Sequence, residues 1–175
     1  MLTQADIERR FGCIGGADIA RIITGNLGGE PAVVAEKVLR TTSDAGDLAL
    51  LGSLAEPVIL KWFSETCGLS LCLHWQPMGD PPLQVTLDAM VKDVRAPVQA
   101  KLVFPWSRND WKDEAGEDCV NDYALVQNQY EQSRCRADHG YVVAWFVGEG
   151  FKDFPLLRDE ELCAALDARA LAAWE

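Results

Sequence analysis

Three side chains near the middle of the chain could do chemistry together: Asp88, Gln99 and Lys101. Asp88 interrupts the alternating stretch Leu83-Gln84-Val85-Thr86-Leu87-Asp88-Ala89-Met90-Val91. Gln99 and Lys101 hold alternate positions of Pro97-Val98-Gln99-Ala100-Lys101-Leu102-Val103-Phe104. Successive side chains of a strand point to opposite faces, so Gln99 and Lys101 share one face and Ala100 takes the other. If the two strands form a hairpin, Asp88 can join that face. A carboxylate, an amide oxygen and an ammonium then converge. Oxygen donors suit Mg²⁺ or Mn²⁺, and a lysine beside them positions water or stabilises charge on a phosphoryl group. A solvent-facing strand with incidental polar residues has the same spacing. Glu56, inside the apolar helical segment Leu54-Ala55-Glu56-Pro57-Val58-Ile59, could face the same cleft, although a surface glutamate is the ordinary explanation. Gln127 and Gln129 follow on a later helix, where glutamines are usually solvated.

Those positions must be held by elements, and the punctuation of the chain marks them out. Residues 3–10 open as a short helix with Thr3 as N-cap and Asp6 three positions on. A turn rich in glycine over 12–16 leads to a second short helix over 18–23. Pro31 suits the first turn of a third helix reaching residue 40. A longer helix over 47–66 ends at Gly68, a residue type that closes helices in the left-handed conformation. Alternation predicts strands over 69–75, 83–91 and 97–104. A polar loop precedes a helix over 122–136. The segment 141–147 is apolar on both faces, as a central strand should be. A short strand at 154–157 and a helix over 159–174 complete an α/β pattern with a mixed sheet. Nothing divides the chain, so residues 1–175 are expected to form one domain.

Composition sets bounds on the chemistry. The 175 residues are 49% hydrophobic, which supplies a real core and excludes disorder. Sixteen Lys and Arg against twenty-seven Asp and Glu leave a net charge of −11. That argues against a polyanion-binding surface spread over the whole molecule, and leaves room for a local basic pocket. The densest acidic run, over 110–122, reads as a solvated loop. The cysteines at 13, 67, 72, 119, 135 and 163 form no C-x-x-C pair, and only His74 and His139 could supplement them. Zinc is therefore not expected, and the thiols read as free and buried. Without a signal peptide or an apolar run of membrane length, a cytoplasmic protein with no membrane partner is expected.

Six short segments, in order, resemble the lambda-type exonuclease (YqaJ-like viral recombinase) family of the PD-(D/E)XK nuclease superfamily. Arg10-Phe11-Gly12-Cys13-Ile14-Gly15-Gly16-Ala17-Asp18 is similar to the family's R-x-G-x-I-G-G/A-S-D opening. Leu54-Ala55-Glu56-Pro57-Val58-Ile59 with Thr66-Cys67-Gly68-Leu69 resembles its glutamate helix and T-G-L element. Val85-Thr86-Leu87-Asp88-Ala89 resembles its S-P-D-G strand, and Gln99-Ala100-Lys101 stands where E-x-K is normal. Val126-Gln127-Asn128-Gln129-Tyr130 resembles its Q-x-Q helix. Leu157-Arg158-Asp159-Glu160-Glu161-Leu162, with Ala173-Trp174, resembles its ending.

The resemblance implies a restriction-endonuclease-like core of a central mixed sheet flanked by helices. It implies a Mg²⁺-dependent (or Mn²⁺-dependent) deoxyribonuclease that degrades one strand of linear duplex DNA from a 5′ end. The expected setting is phage-type recombination in a bacterial or phage-infected cell. The implied partners are double-stranded DNA ends and a single-strand annealing protein, with assembly as a homo-oligomer, a trimer in the family. On this basis Asp88, Gln99 and the Ala100 carbonyl hold the ion, and Glu56 contacts water on it. Lys101 orients or deprotonates the attacking water with support from Gln127. Arg10, Thr86 and Arg108 match positions that grip the terminal 5′-phosphate, a dianion suited to guanidinium forks. Three departures from the pattern stand out: Gln99 for the glutamate of E-x-K, Ala17 for the serine of the phosphate pocket, and Ala89 for the glycine after the aspartate. With the acidic balance, they leave an alternative, a weakened relative that binds DNA ends or inhibits a host enzyme.

Overall fold

The segment His139–Phe146 places apolar side chains on both of its faces and finds cover for each, which makes it the middle of the molecule. The computed structural model describes residues 4–41, 46–73 and 77–175. The Thr3 cap, His74 and Trp75 lie outside them. The helices are α1 (Gln4–Phe11), α2 (Gly16–Thr24), α3 (Gly29–Leu39), α4 (Gly46–Cys67), α5 (Asp122–Cys135) and α6 (Glu160–Trp174). The strands are β1 (Leu71–Leu73), β2 (Ala89–Val91), β3 (Pro97–Val103), β4 (His139–Phe146) and β5 (Gly150–Leu157). They form one sheet in the order β1-β2-β3-β4-β5. β3 and β4 are parallel, joined through α5, and the other neighbours are antiparallel. The mixed sheet and most helix boundaries agree with the sequence reading. Gly68 closes α4 at φ +65°, a conformation that disfavours other residues.

The sheet is sandwiched. Ala55, Ile59, Leu60 and Phe63 of α4 cover one face, against Ala89, Val91, Val98 and Val143. On the other face Val103, Val142, Ala144 and Phe146 pack with Trp111 and with Ala124 of α5. A third cluster joins α2, α5 and α6 through Ile19, Tyr130 and Leu166. Among the described residues, no helix is long and apolar enough to cross a membrane.

Three strands differ from expectation, the first running only over Leu71–Leu73 among the described residues of 69–75. The predicted strand over 83–91 survives as a strand only from Ala89 to Val91. Leu83, Val85 and Leu87 are still buried alternately, but Leu83 and Val85 bridge to Ile14 and Met78 instead of to a neighbouring strand. The cause is Asp88. The register that pairs Ala89 with Val98 sets Asp88 beside Gln99, and Asp88 Oδ2 accepts the Ala100 N–H at 2.9 Å. A side chain thus takes the β3 edge that a longer β2 would have used. The final strand is longer than the expected 154–157, because all of Gly150–Leu157 pairs back along β4. All six cysteines are free, as expected, but only Cys13, Cys135 and Cys163 are buried, and Cys67 is exposed at the end of α4.

Candidate active site

β3 sends Val98, Ala100 and Leu102 toward α4, and Gln99, Lys101 and Val103 toward α5. The shared face of Gln99 and Lys101 is therefore real, and α5 lies over it. Lys101 Nζ donates to Gln127 Oε1 at 2.8 Å. An ammonium has three N–H donors, so this bond orients the head of the lysine and leaves others for a ligand. Asp88, half-buried, sits at the same edge through its bond to the Ala100 N–H. Burial pushes its carboxyl up from the ordinary value, and Lys101, the Ala100 N–H and the charge of Arg10 pull it back. Glu56 reaches the cluster from α4. Its carboxyl is pushed up to about 7 by burial and by the Asp88 charge, with Lys101 opposing. Register and hydrogen bonds thus bring Asp88, Gln99, Lys101 and Gln127 together, and Glu56 stands within reach of the Asp88 and Lys101 charges.

One member of this cluster was not visible in the sequence reading. Glu131 of α5 is fully buried, and its Oε1 accepts from Gln127 Nε2 at 2.8 Å and from Gln99 Nε2 at 3.3 Å. Burial and the Asp88 charge push its carboxyl up to about 8, against the hydrogen bonds of Gln127 and Gln99 and the charge of Lys101. The available signal was its spacing: Glu131 follows Gln127 by one helical turn and so shares its face. Gln129 does not. Two residues from Gln127 it faces elsewhere, buried, with Nε2 donating to the Leu157 carbonyl and Oε1 accepting the Asp159 N–H. The expectation of a solvated Gln129 fails because the end of β5 and the start of α6 supply backbone partners for a buried amide.

The predicted phosphate-gripping residues divide. Arg10 is exposed at the end of α1, and its charge acts on Asp88. Thr86 is exposed two residues before Asp88. Arg108 is engaged elsewhere: its guanidinium stacks 4.1 Å from the Phe146 ring centre and binds Asp118 and Glu149. Asp118 also binds Lys112 at 2.9 Å and Lys152 at 3.0 Å. The acidic run over 110–122 is therefore more than a solvated loop, since one of its carboxylates gathers three cations. Those cations hold the Asp118 carboxyl well below the usual carboxylate range.

The donor set can be tested for a hard divalent ion. Gln99 Oε1 and Glu131 Oε2 are buried without a hydrogen-bond partner, beside the Asp88 carboxylate. Buried oxygen acceptors without donors match such an ion, which favours carboxylate, amide and carbonyl oxygens. Among the described residues, no three His, Cys, Asp or Glu side chains stand close enough to form a metal cage by themselves. Coordination would have to use the Gln99 amide, the Ala100 carbonyl and water, as Mg²⁺ sites commonly do. The residues fit the ion.

A mixed five-stranded sheet with helices on both faces places this chain in the restriction-endonuclease-like α/β fold class. Within that class, it superposes on LHK-Exo, an alkaline exonuclease from Laribacter hongkongensis. The complex of LHK-Exo with dAMP gives a TM-score of 0.80 at 14% identity, over 98% of this chain and 91% of that one. A phage-related exonuclease from Haemophilus somnus 129PT gives 0.74 at 15% identity, over 92% of this chain and 91% of that one. No family model matches the chain and no curated protein matches it by sequence. At these identities the likeness is one of fold.

Proposed function

We propose that this chain is a divalent-metal-dependent deoxyribonuclease acting from the ends of linear duplex DNA. The observation that carries the reading is that Asp88, bonded to the Ala100 N–H between Gln99 and Lys101, feels the charges of Lys101 and Glu56 beside a Gln99 whose buried Oε1 lacks a partner. The exonuclease neighbours and the segments quoted above support the choice of DNA ends as substrate. Asp88, Gln99 and the Ala100 carbonyl would hold Mg²⁺ or Mn²⁺, with Glu56 touching its water. Bound there, the ion would supply Lewis-acid polarisation of the scissile phosphate.

The remaining roles belong to the side chains. Lys101, its head set by Gln127, places an N–H toward the attacking water or the phosphate. Glu56, whose carboxyl is raised by burial and by the Asp88 charge, is the carboxylate placed to accept a hydrogen bond or a proton from that water. Arg10, exposed next to the cluster, offers a charge-assisted donor to a phosphate. In this reading the cut strand carries the 5′ end, and the protein works as an oligomer beside an annealing protein.

The test is incubation of the purified protein with end-labelled linear duplex, with and without Mg²⁺ or Mn²⁺. Nucleotides should be released only with the ion, and Asp88→Asn should abolish release while the far-UV circular dichroism stays unchanged. Tight binding of DNA ends without release in either ion would replace the nuclease by the end-binding alternative. Full activity of Asp88→Asn would remove Asp88 from the site.

A further inference from the structure

We propose that Glu131 is a direct ligand of the divalent ion, so that helix α5 supplies a charge that strand β3 lacks. The inference rests on the metal-dependent reading above and adds a residue to it. Gln99, on the strand, offers only a neutral oxygen. Glu131 lies against it: Gln99 Nε2 donates to Glu131 Oε1, and both side chains are fully buried. The amides of Gln99 and Gln127 both spend donors on that one oxygen, so each side chain of the Gln99–Glu131 pair keeps one unpartnered buried oxygen, Gln99 Oε1 and Glu131 Oε2.

Leaving a buried acceptor without a donor is unfavourable, and two on one hydrogen-bonded pair beside Asp88 is an arrangement that a cation relieves. Glu131 also has little freedom to leave. A Cβ at Gly16 would lie 2.9 Å from Glu131 Oε1, so the start of α2 closes over that side of the carboxylate. A glutamate kept only to receive two amide donors would satisfy one oxygen and have no use for the other.

The test is calorimetric titration of the full chain with Mn²⁺ alone, which reads the site without any reaction. Glu131→Gln should bind Mn²⁺ at least about tenfold more weakly than the wild type, with the fold judged by circular dichroism. Equal affinity in that variant overturns the proposal. The exchanged pair Gln99→Glu/Glu131→Gln keeps the hydrogen bond with its direction reversed and the same total charge. If Glu131 is a ligand, this double variant binds within a few-fold of the wild type. If it is not, the double variant gains a charged ligand at 99 without losing one, and tenfold tighter binding overturns the proposal even where the single variant fails to fold. A wild type that takes up no Mn²⁺ sinks the parent metal reading itself, an outcome distinct from equal affinities in wild type and Glu131→Gln.

Discussion

Arg108 shows how much a residue's partners matter beyond its type. A guanidinium is suited to a terminal phosphate, but here its donors are taken by Asp118 and Glu149 while its plane covers Phe146. A DNA 5′-phosphate would have to compete with Glu149 and with Asp118, a carboxylate already shared with Lys112 and Lys152. For the nuclease reading this predicts only a weak preference of the wild type for 5′-phosphorylated over 5′-hydroxyl duplex. Asp118→Asn, which frees three cations from a fixed negative charge, should enlarge the ratio of the two cleavage rates. An unchanged ratio in that variant would take Arg108 out of substrate binding and leave Arg10 as the guanidinium candidate.

At the scale of elements, α5 is unusual in burying amides and an acid where most sheet-packed helices bury hydrocarbon. Its polar residues form three stripes. Gln127 and Glu131 face the site, and Asn128 and Gln132 bond the carbonyls of Tyr141 and Leu156. Gln129 ties the end of β5 to the start of α6. Directional bonds thus fix the rotation of the helix about its axis, and with it the position of Gln127 under Lys101. The docking is close at Gly140, where a Cβ would fall 2.5 Å from Asn128 Oδ1 and 3.1 Å from Gln132 Nε2. Gly140→Ala should therefore destabilise the fold by about 1–3 kcal/mol, as overpacking does. Urea denaturation gives the number; a loss below about 0.5 kcal/mol would mean that α5 can shift without penalty.

For the whole molecule, the buried acids set the response to pH. Glu56 and Glu131 have folded values of about 7 and about 8, against an ordinary value of 4.5, and Asp88 is raised as well. Between roughly pH 4.5 and 8 the folded protein then holds more protons than the unfolded chain, so stability without metal falls as pH rises through that window. Asp118 acts in the opposite sense. Its lowered folded value contributes stability above the ordinary value of 3.8, and that contribution is lost as pH falls further. The metal-free protein should therefore melt at a higher temperature at pH 5 than at pH 8, by about 2–4 °C for each kcal/mol involved. Mg²⁺ should recover the loss at pH 8 and do little at pH 5, since a ligated carboxylate must be ionised. Thermal melts in chelator and in Mg²⁺ at both pH values check this. A flat or rising metal-free profile would show that the carboxylates are not held protonated.

Local periodicity was enough to place Gln99 and Lys101 on one face of a strand, to outline α4 and its stop at Gly68, and to mark β4 as central. These features depend on neighbours in the chain, and backbone geometry is the same wherever the strand or helix ends up. What depended on contacts across the chain was decided only in the folded molecule. β2 begins only at Ala89 because Asp88 finds the Ala100 N–H. Glu131 becomes a site residue because α5 crosses above Gln99, and Gln129 leaves the site for the backbone of Leu157 and Asp159. Arg108 is claimed by Glu149 from the turn between β4 and β5. A side chain's type sets which bonds it can make, and the fold sets which partner is within about 3 Å to make them with.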